Sequence, residues 1–302
     1  MTKNNQVFAF IILLLLTFAV STAMAFARHR LMTSRGELPD TLLAVAQPPA
    51  APIPHVEVGN SMPGRFRDIA VNAITGDTLL DRLFDTLRLS GRPVRILHLG
   101  DSHVAPGTFT RAMEATLQQA WAETGGAEVH FLGHNGATVN YFATPEWMGK
   151  IAAQGPDLIV ASFGTNECHG MGYQEAQHRA MMQTFFSMLR EACPCSTILL
   201  TTPPGDYLSQ RVSRRRRRAA NPNPMTIRAA AEIRRFGQEK GMAVWDLHTI
   251  AGGSRALDNW IGGGFMQRDR VHFTPEGYQV QGRLLGEALL GAYNNYADRC
   301  NE

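Results

Sequence analysis

Val94-Arg95-Ile96-Leu97-His98-Leu99-Gly100-Asp101-Ser102-His103 decides the fold: an apolar run that stops abruptly at a Gly-Asp-Ser turn. A short apolar run bounded by glycine suits a buried strand. The residues that follow, Thr108 to Trp121, have helix-like composition. Strand, sharp turn and helix is how a sheet exposes a nucleophilic side chain at its end, and Ser102 sits at that turn.

A serine hydroxyl is inert unless a base takes its proton and a third group orients the base. Asp269-Arg270-Val271-His272, near the C-terminus, supplies both. The three-residue spacing lets a carboxylate hold one imidazole nitrogen while the other faces the serine, the role division of a Ser-His-Asp triad. A tetrahedral oxyanion then needs fixed donors. Two turns offer them: Asn135-Gly136-Ala137-Thr138 after the run Ala127 to Leu132, and Gly164-Thr165-Asn166-Glu167 after the run Asp157 to Phe163. The serine turn and these two all sit just past a predicted strand, where open α/β sheets place ligands.

In order and placement these blocks resemble the SGNH hydrolases, also called GDSL-type esterases, over about Leu79 to Tyr293. The resemblance implies Ser102 as nucleophile, with His272 and Asp269 completing the triad. It implies an oxyanion hole of the Ser102 amide, Gly136 and Asn166, and an enzyme with no metal and no cofactor. Gly-Asp-Ser-His at 100–103, Gly-Thr-Asn-Glu at 164–167, Trp245-Asp246 followed by Ala251-Gly252-Gly253, and His272-Phe273-Thr274-Pro275-Glu276-Gly277-Tyr278 look like exported bacterial esterases related to peptidoglycan O-acetylesterases. Some of those carry a carbohydrate-binding module between their first blocks. Only 64 positions (166 − 102) separate Ser102 from Asn166, too few for such a module, so polymer recognition must come from elsewhere or be weaker.

With 302 residues, 44% of them hydrophobic, the chain can bury one sizeable core and carry a tail besides. Val7 to Val20 is almost wholly apolar, Lys3 precedes it, and Ser21 to Ala27 ends in small residues at alternate positions, like a signal-peptidase site. Val7 to Ala27 is also about long enough to span a bilayer as a helix. The expected plan is a signal peptide or N-terminal membrane anchor at 1–27, a Pro-rich linker at 28–63 and a hydrolase domain at 64–302. Arg28, Arg30 and Arg35 against Lys3 alone favour keeping that flank in the cytoplasm. The short polar tail and the exported relatives weigh the other way, so the expected location is the periplasm or another extracytoplasmic site, with the N-terminal helix as a candidate inner-membrane anchor. Cys168, Cys193, Cys195 and Cys300 permit three full pairings in an oxidising compartment.

Leu79, Leu80, Leu83, Phe84 and Leu87 fall at helical spacing between charged residues and predict a helix beside the first strand. Further apolar runs at 127–132, 158–163, 197–202 and 242–245, separated by helical stretches, complete five strands. The fold class expected is a three-layer α/β/α sandwich around a central, mainly parallel five-stranded sheet, flavodoxin-like in plan. Residues 203–224 read as one long irregular insertion holding Arg211 and the run Arg214 to Arg218. Such a run is either a solvated loop or a patch that attracts anionic polymer or a membrane surface. Without its five charges the formal net charge changes from +3 to −2, which argues against a nucleic-acid partner.

His98, Asp101, His103 and His134 admit a metal reading; the plainer one has them satisfy turns or line the cleft. Glu167 is expected to brace its loop through backbone amides, and Cys168 as nucleophile would lack a base of its own. Tyr141, Trp147 and Trp260 are either core or stacking surfaces for sugar rings. The expected activity is hydrolysis of O-acyl, foremost O-acetyl, esters on cell-envelope or extracellular polysaccharide. The alternatives are a lysophospholipase- or thioesterase-type lipid esterase, a polysaccharide O-acetyltransferase, and a catalytically idle envelope-binding module.

Overall fold

Arg95 apart, every residue of Val94–Gly100 is buried, as a parallel strand covered on both faces requires. The computed structural model describes residues 51–170, 172–210 and 219–302. The apolar N-terminal segment, the first part of the linker and the arginine run lie outside them. Among the described residues the main sheet holds β1 (Ile74–Thr75), β2 (Val94–Gly100), β3 (Ala127–Gly133), β4 (Leu158–Ser162) and β5 (Thr197–Thr201). After a separate ribbon of β6 (Tyr207–Gln210) and β7 (Ala219–Pro222), β8 (Ala243–Trp245) completes it. The order is β1-β8-β5-β4-β2-β3, parallel throughout except for β1 against β8.

Side chains along these strands alternate between two cores. Ile96, Leu158, Val160, Leu199 and Trp245 pack under α1 (Asp81–Leu89), α2 (Thr108–Trp121) and, from the C-terminus, the long helix Pro275–Asn301. Leu97, Leu99, Ile159, Ala161, Leu200 and Val244 pack under α3 (Pro145–Ala153), α4 (Glu175–Ala192) and α5 (Pro224–Lys240). With Pro275–Asn301 as α6, this is the expected three-layer sandwich. The five parallel strands run 2-1-3-4-5 in chain order, a doubly wound plan whose crossovers diverge between β2 and β4. Ligands bind at that divergence, beyond the carboxyl ends of the strands.

Three expectations change. The sheet has six strands rather than five, because Ile74–Thr75 adds an antiparallel edge whose two residues are too short for any periodicity to show. The stretch 203–224 is not irregular throughout, since Tyr207–Gln210 pairs antiparallel with Ala219–Pro222. The last part of the 28–63 linker lies against α6: Ile53 is buried, its amide and carbonyl bond Asn301, and those of Val56 bond Asn294. Among the described residues, no helix is long and apolar enough to cross a membrane.

Candidate active site

The turn after β2 fits only because residue 100 lacks a side chain. A Cβ on Gly100 would lie 2.3 Å from Val104 Cγ2 and 2.8 Å from the Ser162 carbonyl. The chain then folds back, with the Val104 and Ala105 amides donating to Asp101 O at 3.1 and 3.0 Å. Ser102 is left half-buried at the strand end.

The loop before α6 brings the partners. Ser102 Oγ lies 2.9 Å from His272 Nε2, and His272 Nδ1 lies 2.7 Å from Asp269 Oδ2. The other carboxylate oxygen accepts the Val271 and His272 amides, both at 3.0 Å. That wrapping needs Arg270 in the left-handed region, at φ 57°. Burial pushes the Asp269 carboxyl up, but the His272 ring and these amides outweigh it and hold it below the ordinary range. Ionised Asp269 accepts from Nδ1–H, so Nε2 is the nitrogen left to accept the serine proton.

Gly136, at φ 77°, sits in a turn that an L side chain would strain. Among the described residues, its amide and that of Ser102 donate to no protein acceptor. Asn166 Nδ2 donates to Ala137 O at 2.9 Å and to Asp101 Oδ2 at 3.2 Å. Glu167 braces as expected and across two loops: Oε1 accepts the Val139 amide at 2.8 Å and Oε2 the Gly164 amide at 2.9 Å. Burial carries the Glu167 carboxyl up to about 7 despite those amides, and nearby Asp101 adds to the rise. Burial likewise carries Asp101 to about 7 against the His103 amide and the His272 ring. The five residues expected at the site thus lie on turns at the strand ends and on the loop before α6, joined by hydrogen bonds of 2.7–3.2 Å.

The metal candidates part company. His98 is fully buried, 2.8 Å from Thr110 Oγ1 and 2.7 Å from Ser162 Oγ, and burial lowers its pKa to about 3. His103 bonds the Tyr278 hydroxyl at 3.1 Å, and burial lowers it to about 4. His134 stacks on Tyr141, ring centroids 4.1 Å apart. Among the described residues, no three His, Cys, Asp or Glu side chains gather to hold a metal ion. All four cysteines are unpaired, and burial drives the Cys168 thiol far up, which suits a structural thiol. Trp260 is fully buried core, whereas Tyr141 is 38% exposed and Trp147 is half-buried beneath the Lys150 ammonium, 4.6 Å from its ring centroid.

Sequence reasoning missed the anchoring of the ribbon. Buried Asp206 accepts from Asn223 Nδ2 at 2.9 Å and Thr226 Oγ1 at 2.6 Å, and pairs with His169 just past Asn166. Tyr207 N donates to Arg270 O at 3.0 Å, with the Arg270 guanidinium over the Tyr207 ring. The base of the ribbon therefore touches both the Asn166 turn and the Asp269–His272 loop. Pro203-Pro204-Gly205 hid this, since a proline pair carries no strand periodicity.

A model of the GDSL-like lipase/acylhydrolase family matches residues 98–280, spanning all five site positions. A solved peptidoglycan O-acetylesterase superposes with a TM-score of 0.64 at 16% identity, covering 74% of this chain and 99% of its own. A protein designated a GDSL-like lipase from Parabacteroides merdae superposes at 0.53 with 17% identity, covering 67% of this chain and 97% of its own. At these identities the likeness speaks for the fold. No curated protein matches the chain in sequence.

Proposed function

The chain belongs to the GDSL-like lipase/acylhydrolase family and is a carboxylic ester hydrolase, and from that premise we propose that it removes O-acetyl groups from cell-envelope or extracellular polysaccharide. The observation that carries this reading is the continuous path from Ser102 Oγ through His272 to Asp269, at 2.9 and 2.7 Å.

As His272 Nε2 takes the hydroxyl proton, Ser102 Oγ bonds to the ester carbonyl carbon. The carbonyl oxygen becomes an oxyanion facing the Ser102 and Gly136 amides and the Asn166 side chain. Collapse breaks the bond to the sugar oxygen, which leaves with the proton from His272 Nε2. Water then attacks the acyl-serine, giving its proton to the same nitrogen, and release of acetate restores Ser102. Asp269, held ionised, keeps the ring in the tautomer this cycle needs.

Two observations support a glycan acetyl ester. The peptidoglycan O-acetylesterase neighbour acts on an ester of this class. The exposed Tyr141 beside half-buried Trp147 follows directly on the Gly136 turn and offers aromatic surface on which a sugar ring can lie. The apolar N-terminus supports a position outside the cytoplasm, anchored to the inner membrane or secreted. The run Arg214 to Arg218 supports attraction to anionic polymer, the strand before it being tied to the Asp269–His272 loop through Tyr207.

The test is a panel of p-nitrophenyl esters from acetyl to dodecanoyl beside acetylated peptidoglycan and acetylated xylan. Preference for acetyl and release of acetate from a polymer bear the reading out. A kcat/KM that rises with chain length replaces it with a lipid esterase, and loss of free acetate when an acceptor sugar is added replaces it with a transferase.

A further inference from the structure

We infer that Asp101 is the positioning residue of the oxyanion hole, one carboxylate that fixes the Asn166 side chain relative to the Ser102 turn. The inference rests on the assignment of Asn166 as an oxyanion donor.

Asp101 is 1% exposed and spends its two oxygens in different directions. Oδ1 accepts the His103 amide at 2.9 Å, which closes the turn around Ser102. Oδ2 accepts Asn166 Nδ2 at 3.2 Å. The same Nδ2 reaches Ala137 O at 2.9 Å, within the loop that carries Gly136. An amide nitrogen has two protons, so both are directed here, and the carboxamide plane is set by two acceptors on two loops. The longer, weaker contact is the one to Asp101. An oxyanion forming beside Ser102 can share that proton without freeing the bond to Ala137 O, which leaves the amide plane unchanged.

Only an ionised carboxylate can do this, which Asp101 is above the pH of about 7 to which burial carries it, so the kinetics are read there. The two groups facing Asp101 are both donors, the His103 N–H and the Asn166 Nδ2–H. An asparagine at 101 has one acceptor and one donor, so whichever way its amide turns, an N–H meets an N–H. Either the serine turn opens or Asn166 is pushed out of plane. The sequence marks Asp101 as part of a Gly-Asp-Ser turn and as a metal candidate but not as a partner of Asn166, because that partner lies 65 positions away.

The experiment is a double-mutant cycle on Asp101→Asn and Asn166→Ala, with kcat and KM measured on p-nitrophenyl acetate and a thermal melt for each protein. Losing an oxyanion donor costs about 10²–10³ in kcat, and misplacing one should cost part of that, about 10- to 100-fold, with KM within about twofold. In the Asn166→Ala background the same Asp101→Asn change should cost less than about threefold, since there is no donor left to misplace. A role in stability alone would lower the melting temperature and act equally in both backgrounds. Additive losses in kcat, or Asp101→Asn within about twofold of wild type, overturn the inference. If Asn166→Ala itself leaves kcat intact, the oxyanion assignment fails instead, and the two failures are distinct. Should Asp101→Asn not fold, Asp101→Ser takes its place in the same cycle.

Discussion

Replacing Glu167 by glutamine should change how stability depends on pH. Burial carries this carboxyl from an ordinary 4.5 to about 7, with two backbone amides and nearby Asp101 acting in opposite directions on it. The folded chain therefore holds the proton more tightly than the unfolded chain. Stability from this group is full below about pH 4.5 and is lost as pH rises through about 7. Each tenfold in proton affinity is about 1.4 kcal/mol, so the span amounts to about 3 kcal/mol. Glutamine is neutral throughout and removes that slope. It also has one acceptor for two amides, Val139 N and Gly164 N, as a protonated carboxyl in effect does. The two proteins should then differ by no more than about 1 kcal/mol at pH 4.5. Asp101, raised by its own burial to about 7, is present in both and cancels apart from its repulsion with Glu167, which is already counted in the Glu167 value and which glutamine removes. Urea unfolding followed by tryptophan fluorescence at pH 4.5 and 8.5 should show Glu167→Gln gaining about 3 kcal/mol on wild type between the two conditions. Parallel curves, within about 0.5 kcal/mol, would refute the proton-holding state of Glu167.

Three further outcomes follow from the proposed substrate and location. Tyr141→Ala should raise KM for an acetylated polysaccharide several-fold while p-nitrophenyl acetate turnover stays within about twofold; equal effects on both would make Tyr141 a structural residue. Replacing Arg214 to Arg218 with serine should slow an anionic acetylated polymer at low salt and converge with wild type at high salt, since surface charges act over a Debye length of about 8–10 Å near physiological ionic strength. Salt curves that coincide would make the run a solvated loop. A fusion of residues 1–50 to alkaline phosphatase should be active in a Gram-negative host, and activity gained only when Arg28 and Arg30 are neutralised would place the native domain inside.

Much of this molecule could be read before its structure. Strand β2 announces itself because both of its faces are buried, leaving an unbroken apolar run, and the glycine that ends it is one that steric contact with Val104 and Ser162 demands. The Asp269–His272 contact is legible because its three-residue spacing is local, and Glu167 because its brace begins on the adjacent backbone. What sequence hid is either too short or too distant. Ile74–Thr75 has two residues and no pattern, and the ribbon strands flank a charge run that masks their pairing. The Asp101–Asn166 bond joins two strand ends that only the parallel sheet brings together. Burial also decided what composition left open: Trp260 is core, Tyr141 is exposed, and His98 is locked between Thr110 and Ser162.

The most direct test of the account is acetate release from an acetylated polysaccharide by Ser102→Ala and His272→Ala, each checked for an unchanged melting temperature. Triad members act as a unit, and Ser102 and His272 stand 2.9 Å apart. Each variant should therefore lose about 10³-fold or more in kcat, and the double variant should lose no more than either single one. Activity within about tenfold of wild type in either folded variant would contradict the mechanism.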